Sequence, residues 1–180
     1  MTRTKQGATL LALIAIWIDF AVFAKDAFLS YFDPDACMNL IRSCLPPAGS
    51  LVKANILFFL NSDFYRPFGS VWYRVIYDIC GWNPAPFQAV TLLILATNIW
   101  LTYAICRRLA DSREAGVLAA LLISYHASMM PLYFDLGYVY DVLCYFFYFA
   151  ALLYYLRIRQ ADRYPGAGAL AGADFSFASG

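Results

Sequence analysis

Four long runs of apolar residues alternate with polar connections along this chain. The runs cover about residues 8–28, 87–106, 115–134 and 139–156. Because a bilayer core about 30 Å thick takes roughly 20 apolar residues as a helix, each run is close to the length of a membrane-spanning helix. The pattern therefore predicts an all-α, polytopic membrane bundle with about four transmembrane helices.

The connection between the first two runs, residues 25–86, has a pattern of its own. It is too long for a structureless loop in a compact protein. Segment 50–60 is apolar but too short to span a bilayer, and the apolar residues of segment 70–80 recur at helical spacing. Arg74 and Asp78 form an i,i+4 pair on the other side of that second segment. We therefore expect two short amphipathic helices that lie at the membrane surface.

The composition agrees with a membrane protein. Hydrophobic residues make up 62% of the chain and charged residues 14%, whereas soluble domains have roughly 45–50% and about 25%. Because this number of charges is too small to cover the surface of a soluble domain, membrane lipids are the expected surroundings. The net charge of +1 says nothing about nucleic acid, but the chain has no basic stripe with interleaved aromatic residues, so no nucleic-acid partner is expected.

The five cysteines show no CxxC pair and no spacing typical of metal ligands, so no metal site is predicted from them. Cys37 and Cys44 lie in the long connection. They are compatible with a disulfide outside the cytoplasm and equally with two free thiols.

Basic residues near the ends of the runs predict the orientation of the bundle. Lys and Arg near span ends favour the cytoplasmic side. Both termini and the hairpin at residues 107–114 are therefore expected inside, with connection 25–86 and the short turn at 135–138 outside. The residues that carry this prediction are Arg3, Lys5, Arg107, Arg108, Arg113, Arg157, Arg159 and Arg163.

The two ends of the chain allow other interpretations. The first run has the basic start of a signal peptide and a Val22-Phe23-Ala24 cleavage-like site, although Asp19 and the apolar length argue against cleavage. Segment 161–180 is rich in Gly and Ala, and we expect it to be disordered. Such a tail is typical of a truncated reading frame or of a linker cut short.

Several acidic residues and one histidine are candidates for chemistry. Asp33 and Asp35 flank Pro34 just after the first run, where they either cap the next helix or provide a general base. Asp19 lies in mid-membrane, where an ionisable group is costly; it either has a function or pairs with Asn98 or Thr97.

This layout resembles the N-terminal part of the GT-C class of membrane glycosyltransferases, in particular the bacterial relatives of protein O-mannosyltransferases and aminoarabinose transferases. The resemblance covers about residues 10–159, whereas family members usually have more spans. It rests on Asp33 with Asp35, on segment 65–70 followed by Trp72-Tyr73-Arg74, and on Tyr125-His126, Tyr133-Phe134-Asp135 and Tyr140-Asp141.

The resemblance implies a sugar transferase that uses a polyprenyl-phosphate donor on the non-cytoplasmic face. It implies Asp33 and Asp35 as catalytic residues, Arg66 as a ligand of the donor phosphate, and Tyr65 as a stacking partner of sugar or isoprenoid. The further substrate-binding residues that it implies are His126, Asp135 and Asp141. No cofactor is required by the sequence, although a divalent metal between an aspartate and the phosphate is compatible with this chemistry.

Two other functions fit the sequence. The short length and the tail favour a non-catalytic membrane subunit, which associates with other membrane proteins through its spans, or a truncated remnant. Asp19 and His126 within spans favour a small transporter, but the first and last pairs of spans show no repeat. A bacterial inner membrane is the expected location.

Overall fold

The computed structural model of this chain describes residues 2–53 and 67–162, and every regular element in these ranges is helical. This confirms the predicted all-α class. Short 3-10 turns at Ala127–Met129 and Leu136–Tyr138 flank the seventh helix. The eight α-helices are α1 Thr2–Ala27, α2 Pro34–Cys44, α3 Ala48–Val52, α4 Pro67–Cys80, α5 Pro84–Leu109, α6 Arg113–Tyr125, α7 Met130–Phe134 and α8 Val139–Asp162.

Three segments of the described chain are long and apolar enough to cross a membrane by themselves. They are Gly7–Ala27, Pro84–Leu109 and Leu136–Arg159. A fourth crossing is formed if α6 and the segment Ala127–Phe134 count as one span, with a bend of 61° between them. The bundle of three to four spanning helices agrees with the prediction.

The third predicted span is broken at His126 rather than continuous over residues 115–134. The backbone of His126 is extended (φ −70°, ψ 127°), and its Nδ1 accepts a hydrogen bond from Ser128 N at 3.2 Å. Pro131 then lies in the first turn of α7, where its missing N–H is tolerated. The helix therefore ends at Tyr125 and restarts in a new direction.

Helix α5 is the centre of the bundle and takes part in four apolar layers, of which three mark its start, its middle and its end. Phe87 belongs to a first layer with residues of α2, α4 and α8. Leu92 and Leu95 belong to a second layer with α1, α7 and α8. Leu101 and Ile105 meet Leu153 of α8 in a third layer. This packing fixes the ends of the spans relative to one another.

The long connection contains the predicted surface helix and one whose extent was not predicted. Helix α4 covers the predicted segment 70–80, whereas α2 was expected only in the alternative that Asp33 and Asp35 cap a helix, with no extent predicted for it. Of the predicted helix 50–60, only α3 and Lys53 fall within the described residues. Both Cys37 and Cys44 are free thiols.

Arg74 ties these two surface helices together. The predicted pair with Asp78 is present, with Arg74 Nε 2.8 Å from Asp78 Oδ2. The same guanidinium donates from Nη1 to the carbonyl oxygens of Cys44 at 3.1 Å and Pro46 at 2.8 Å. These carbonyls lie at the end of α2, where a cation is favourable.

Helix α4 has apolar residues on two sides. Tyr73 is fully buried, whereas Val75 and Ile79 are 51% and 77% exposed. The ring centroid of Phe68 lies 5.0 Å from that of Phe147, which is about two turns into α8. The start of α4 therefore lies beside the first turns of α8. The exposed apolar side of α4 is suited to contact lipid.

Candidate functional site

Three aspartates from two distant parts of the sequence approach Gly137. A Cβ atom placed on Gly137 would lie 3.0 Å from Asp135 Oδ1, 3.2 Å from Asp35 Cβ and 3.4 Å from Asp33 Oδ2. We call Asp33, Asp35 and Asp135 the acid cluster. The structure thus brings together three of the acids that the sequence singled out one by one.

Asp33 begins helix α2 as its N-cap. Its Oδ2 accepts a hydrogen bond from Asp35 N at 3.0 Å, and its Oδ1 accepts one from Ala36 N at 3.2 Å. Pro34 at the first helical position adds the preset φ that a helix start favours. The capping interpretation is therefore confirmed for Asp33. The carboxylate of Asp35 lies in the first turn of the helix, and Asp35 is exposed.

Asp135 is a half-buried member of the acid cluster. Its Oδ1 accepts a hydrogen bond from Gly137 N at 2.7 Å. Burial raises the pKa of Asp135 above the usual 3.8, and a hydrogen bond with Asp33 and the charges of Asp33 and Asp35 raise it further, against the opposing effect of Gly137 N–H. Asp135 therefore holds a proton to higher pH than an ordinary aspartate does.

Tyr73 of α4 fixes the turn that carries Asp135. Its hydroxyl donates to Leu136 O at 2.8 Å, and the whole side chain is buried. Burial raises the pKa of Tyr73, so its hydroxyl stays a neutral donor. The ring lies in a group of aromatic side chains, with centroid distances of 4.8 Å to Trp72 and 6.1 Å to Phe87. The turn that carries Asp135 is thus held against a group of packed aromatic side chains.

The other predicted site residues are not brought into the acid cluster by any contact described. His126 is exposed at the break of the third span and bonds within its own turn. Asp141 is exposed in the first turn of α8, where an acid is favourable. Tyr65 and Arg66 lie outside the described residues, as does the predicted tail beyond Asp162.

A metal ion has no ready site in the described part of the chain. No group of three or more His, Cys, Asp or Glu residues there is placed to hold one. The acid cluster is therefore a set of hydrogen-bonding and proton-binding groups, in which two of the three carboxylates already bond to backbone N–H groups.

Asp19 does not make the pairing that the sequence offered as one of two alternatives. Asn98 Nδ2 donates to Val142 O at 2.9 Å, and Thr97 Oγ1 donates to Leu93 O at 2.8 Å. The charge of Asp19 acts instead on Tyr125 of α6. Asp19 Oδ2 is buried without a hydrogen-bond partner.

A small cavity lies among the spans, away from the acid cluster. It leaves about 20 Å³ for the centre of a water-sized sphere, which is enough for one water. Asn98 Oδ1 and Tyr133 Oη are buried atoms without a hydrogen-bond partner, and both side chains line the cavity. The other lining residues are Leu95, Ile99, Ile123, Met129, Leu132, Tyr145 and Phe149.

Sequence reasoning did not identify Gly137 and Tyr73 as parts of the site. The motif Asp135-Leu136-Gly137 carried a signal for Gly137, since a glycine two residues after an aspartate is common in Asx turns. Tyr73 carried no such signal, because its role depends on where α4 packs.

Comparisons with known proteins give no match: no family model, no curated protein and no solved structure matches this chain. The resemblance to GT-C glycosyltransferases therefore rests on the residues quoted for it.

Proposed function

We propose that this chain is a GT-C-like membrane glycosyltransferase, or the N-terminal part of one, which moves a sugar from a polyprenyl-phosphate donor to an acceptor hydroxyl. The observation that supports this proposal is the meeting of Asp33, Asp35 and Asp135 at one end of the spans. Such a site offers one exposed carboxylate, that of Asp35, beside a half-buried one with a raised pKa, that of Asp135. Groups with such different environments suit acid–base chemistry.

Asp35 is the general base of the proposed reaction. Its carboxylate takes the proton of the acceptor hydroxyl while the acceptor oxygen attacks the anomeric carbon of the sugar. The bond between that carbon and the phosphate oxygen breaks, and polyprenyl phosphate leaves with the electron pair. Asp33 positions Asp35 by capping α2, and Asp135 holds a proton next to both.

The donor phosphate is assigned to residues that lie outside the described part of the chain. Arg66 would bind the leaving phosphate with two parallel hydrogen bonds, and Tyr65 would stack on the sugar or the isoprenoid. His126 and Asp141 have no described contact with the acid cluster, so we give them no step in the reaction.

We place the acid cluster on the outer face of a bacterial inner membrane, with both termini in the cytoplasm.

The test is sugar transfer by the full chain in lipid, measured as loss of polyprenyl-phosphate sugar. We expect Asp35→Asn to lower the rate by about 10²-fold or more, as is typical when a general base is removed. Asp26→Asn is the matched control, because Asp26 is an exposed acid near the end of α1. Equal rates for Asp35→Asn and the unmodified chain would remove Asp35 from the mechanism.

One observation favours a non-catalytic membrane subunit as the second candidate. Both carboxylate oxygens of Asp33 are used in the helix cap, which is a structural role. A subunit of this kind would fold with its spans and acid cluster intact, show no transfer, and be recovered with another membrane protein. A chain that turns over donor by itself would contradict this second candidate.

A further inference from the structure

Arginines gather at the end of the spans opposite the acid cluster. Arg107 and Arg108 lie in the last turn of α5, and Arg159 lies in the last turn of α8. Arg113 begins α6, and Arg157 lies two residues before Arg159. We call these five residues the arginine cluster. It joins the end of α5 to the start of α6 and the end of α8, both of which pack against α5.

Like charges act on one another within the arginine cluster. Arg108 is partly shielded from water, and the positive charges of Arg157 and Arg107 both act on it. The apolar layer of Leu101, Ile105 and Leu153 lies on the same two helices, within about two turns of Arg108 and Arg157. Because charges interact more strongly near apolar surroundings than in water, an anion at this place would offset the repulsion.

A polar depression adjoins these residues. It leaves about 240 Å³ for the centre of a water-sized sphere and is lined by Arg107, Asp111, Ser112 and Arg113, on the α6 side of Arg108 and Arg157. Asp111 has a left-handed backbone (φ 48°) that reverses the chain between α5 and α6. Ser112 caps α6 by accepting from Ala115 N at 3.3 Å. The five arginines outnumber the nearby carboxylates Asp111 and Glu114, so the region is basic in balance.

The arginine cluster lies at the depth of lipid headgroups. Helix α5 has 26 residues and is therefore about 39 Å long. This exceeds the roughly 30 Å of the hydrocarbon core, so the last turn of α5 extends into the headgroup region. A guanidinium matches a phosphate with two parallel hydrogen bonds.

We propose that the arginine cluster binds the phosphate of an anionic phospholipid headgroup between the ends of α5, α6 and α8. Arg108 and Arg157 provide the central contacts, because they lie near the ends of α5 and α8, two spans that pack against each other. The proposal does not depend on the glycosyltransferase function, since it concerns the opposite end of the molecule.

The test measures binding of phosphatidylglycerol to the purified full chain in detergent, read as the shift of thermal unfolding with lipid concentration. Phosphatidylcholine and inorganic phosphate are titrated in parallel. We expect stabilisation by phosphatidylglycerol alone. Arg108→Gln with Arg157→Gln should weaken its binding about thirtyfold, since each basic residue near an anionic surface contributes about 1 kcal/mol.

The matched control removes two positive charges from other parts of the surface. Arg42→Gln with Lys53→Gln affects two exposed residues of the long connection, and we expect phosphatidylglycerol binding to stay unchanged. Arg108→Lys with Arg157→Lys keeps both charges and should retain most of the binding. This pair also tests the proposal if the glutamine pair does not fold.

Three outcomes would overturn the proposal. The first is equal stabilisation by phosphatidylcholine, and the second is stabilisation by inorganic phosphate at the same concentrations, which would indicate a site for free phosphate. The third is unchanged lipid binding in the glutamine pair, or in the unmodified chain at high salt, because salt screens exposed charges.

Discussion

At Gly137, the lack of a side chain allows three carboxylates to meet. Gly137→Ala would place a Cβ 3.2 Å from Asp35 Cβ, which is fixed to the backbone of α2 and has little room to move. We expect a loss of about 1–3 kcal/mol in the free energy of unfolding, as is usual for overpacking, together with loss of any transfer activity. Chemical unfolding of the purified chain measures the first effect.

Gly49→Ala is the control for that change. A Cβ on Gly49 meets nothing within 4 Å, and alanine is a better helix former than glycine by about 1 kcal/mol. We expect this variant to be as stable as the unmodified chain or slightly more stable. Equal effects of the two substitutions would contradict a tight fit at Gly137.

The raised pKa of Asp135 predicts a pH dependence of stability. Because the folded state binds this proton more tightly than the unfolded state, the contribution to stability is fully present below the usual carboxyl pKa of 3.8. It is lost as the pH rises through the raised pKa of the folded protein. Asp135→Asn stays neutral at every pH, so its free energy of unfolding should lack this loss. Unfolding curves over the acidic range measure the difference.

The control for Asp135→Asn is Asp26→Asn, which removes an exposed carboxylate elsewhere. Its stability should follow the pH profile of the unmodified chain more closely than that of Asp135→Asn. Parallel profiles for Asp135→Asn and the unmodified chain would show that Asp135 is not the titrating group.

Single residues of the acid cluster could be predicted from the sequence, but their meeting could not. Asp33, Asp35 and Asp135 stood out because each lies next to the end of an apolar run. Their contact depends on α2 packing against the turn at Leu136–Tyr138. No sequence period encodes this packing, because it is set by which faces of two short elements fit each other.

At the scale of elements, helices α5 and α6 approach closely at Gly116. A Cβ on Gly116 would lie 2.8 Å from the backbone oxygen of Tyr103 and 3.0 Å from Arg107 Cβ. Small residues commonly allow such approach between membrane helices. Gly116→Ala should force the two helices apart and lower the free energy of unfolding by about 1–3 kcal/mol.

Gly7→Ala is the matched control for Gly116→Ala, because it changes a helical glycine of another span with nothing within 4 Å of the new Cβ. We expect it to be neutral or slightly stabilising. Thermal unfolding of both variants in the same detergent makes the comparison. A neutral Gly116→Ala would mean that α5 and α6 separate at no cost.

The spans were predictable because their length and apolar content follow from the thickness of a bilayer. The break at His126 was not, since the run 115–134 is apolar on both sides of it. Pro131 alone was a weak signal, as prolines are tolerated in membrane helices. The extent of helix α2 was not predicted, because its mixed polar and apolar residues follow Asp33-Pro34, which also fits an extended segment.

For the whole molecule, charge is divided between two ends. The acid cluster lies at one end of the spans and the arginine cluster at the other, because α5 runs from Phe87 near the first to Arg108 in the second. The sequence predicted this division from the positions of arginines between apolar runs. The sequence did not predict how closely each set of charges gathers, since that depends on the packing of α2, α5 and α8.

The predicted orientation places the acid cluster outside and the arginine cluster in the cytoplasm. Cys80 is exposed at the end of α4, and Ala110 is exposed in the turn after α5. In a chain with Cys80 as its only cysteine, we expect an impermeant maleimide to label intact spheroplasts. In a cysteine-free chain with Ala110→Cys, labelling should require permeabilisation. The reverse pattern would place the acid cluster in the cytoplasm, where a transferase of the proposed kind does not work, while the lipid site at the arginine cluster would remain open to its own test.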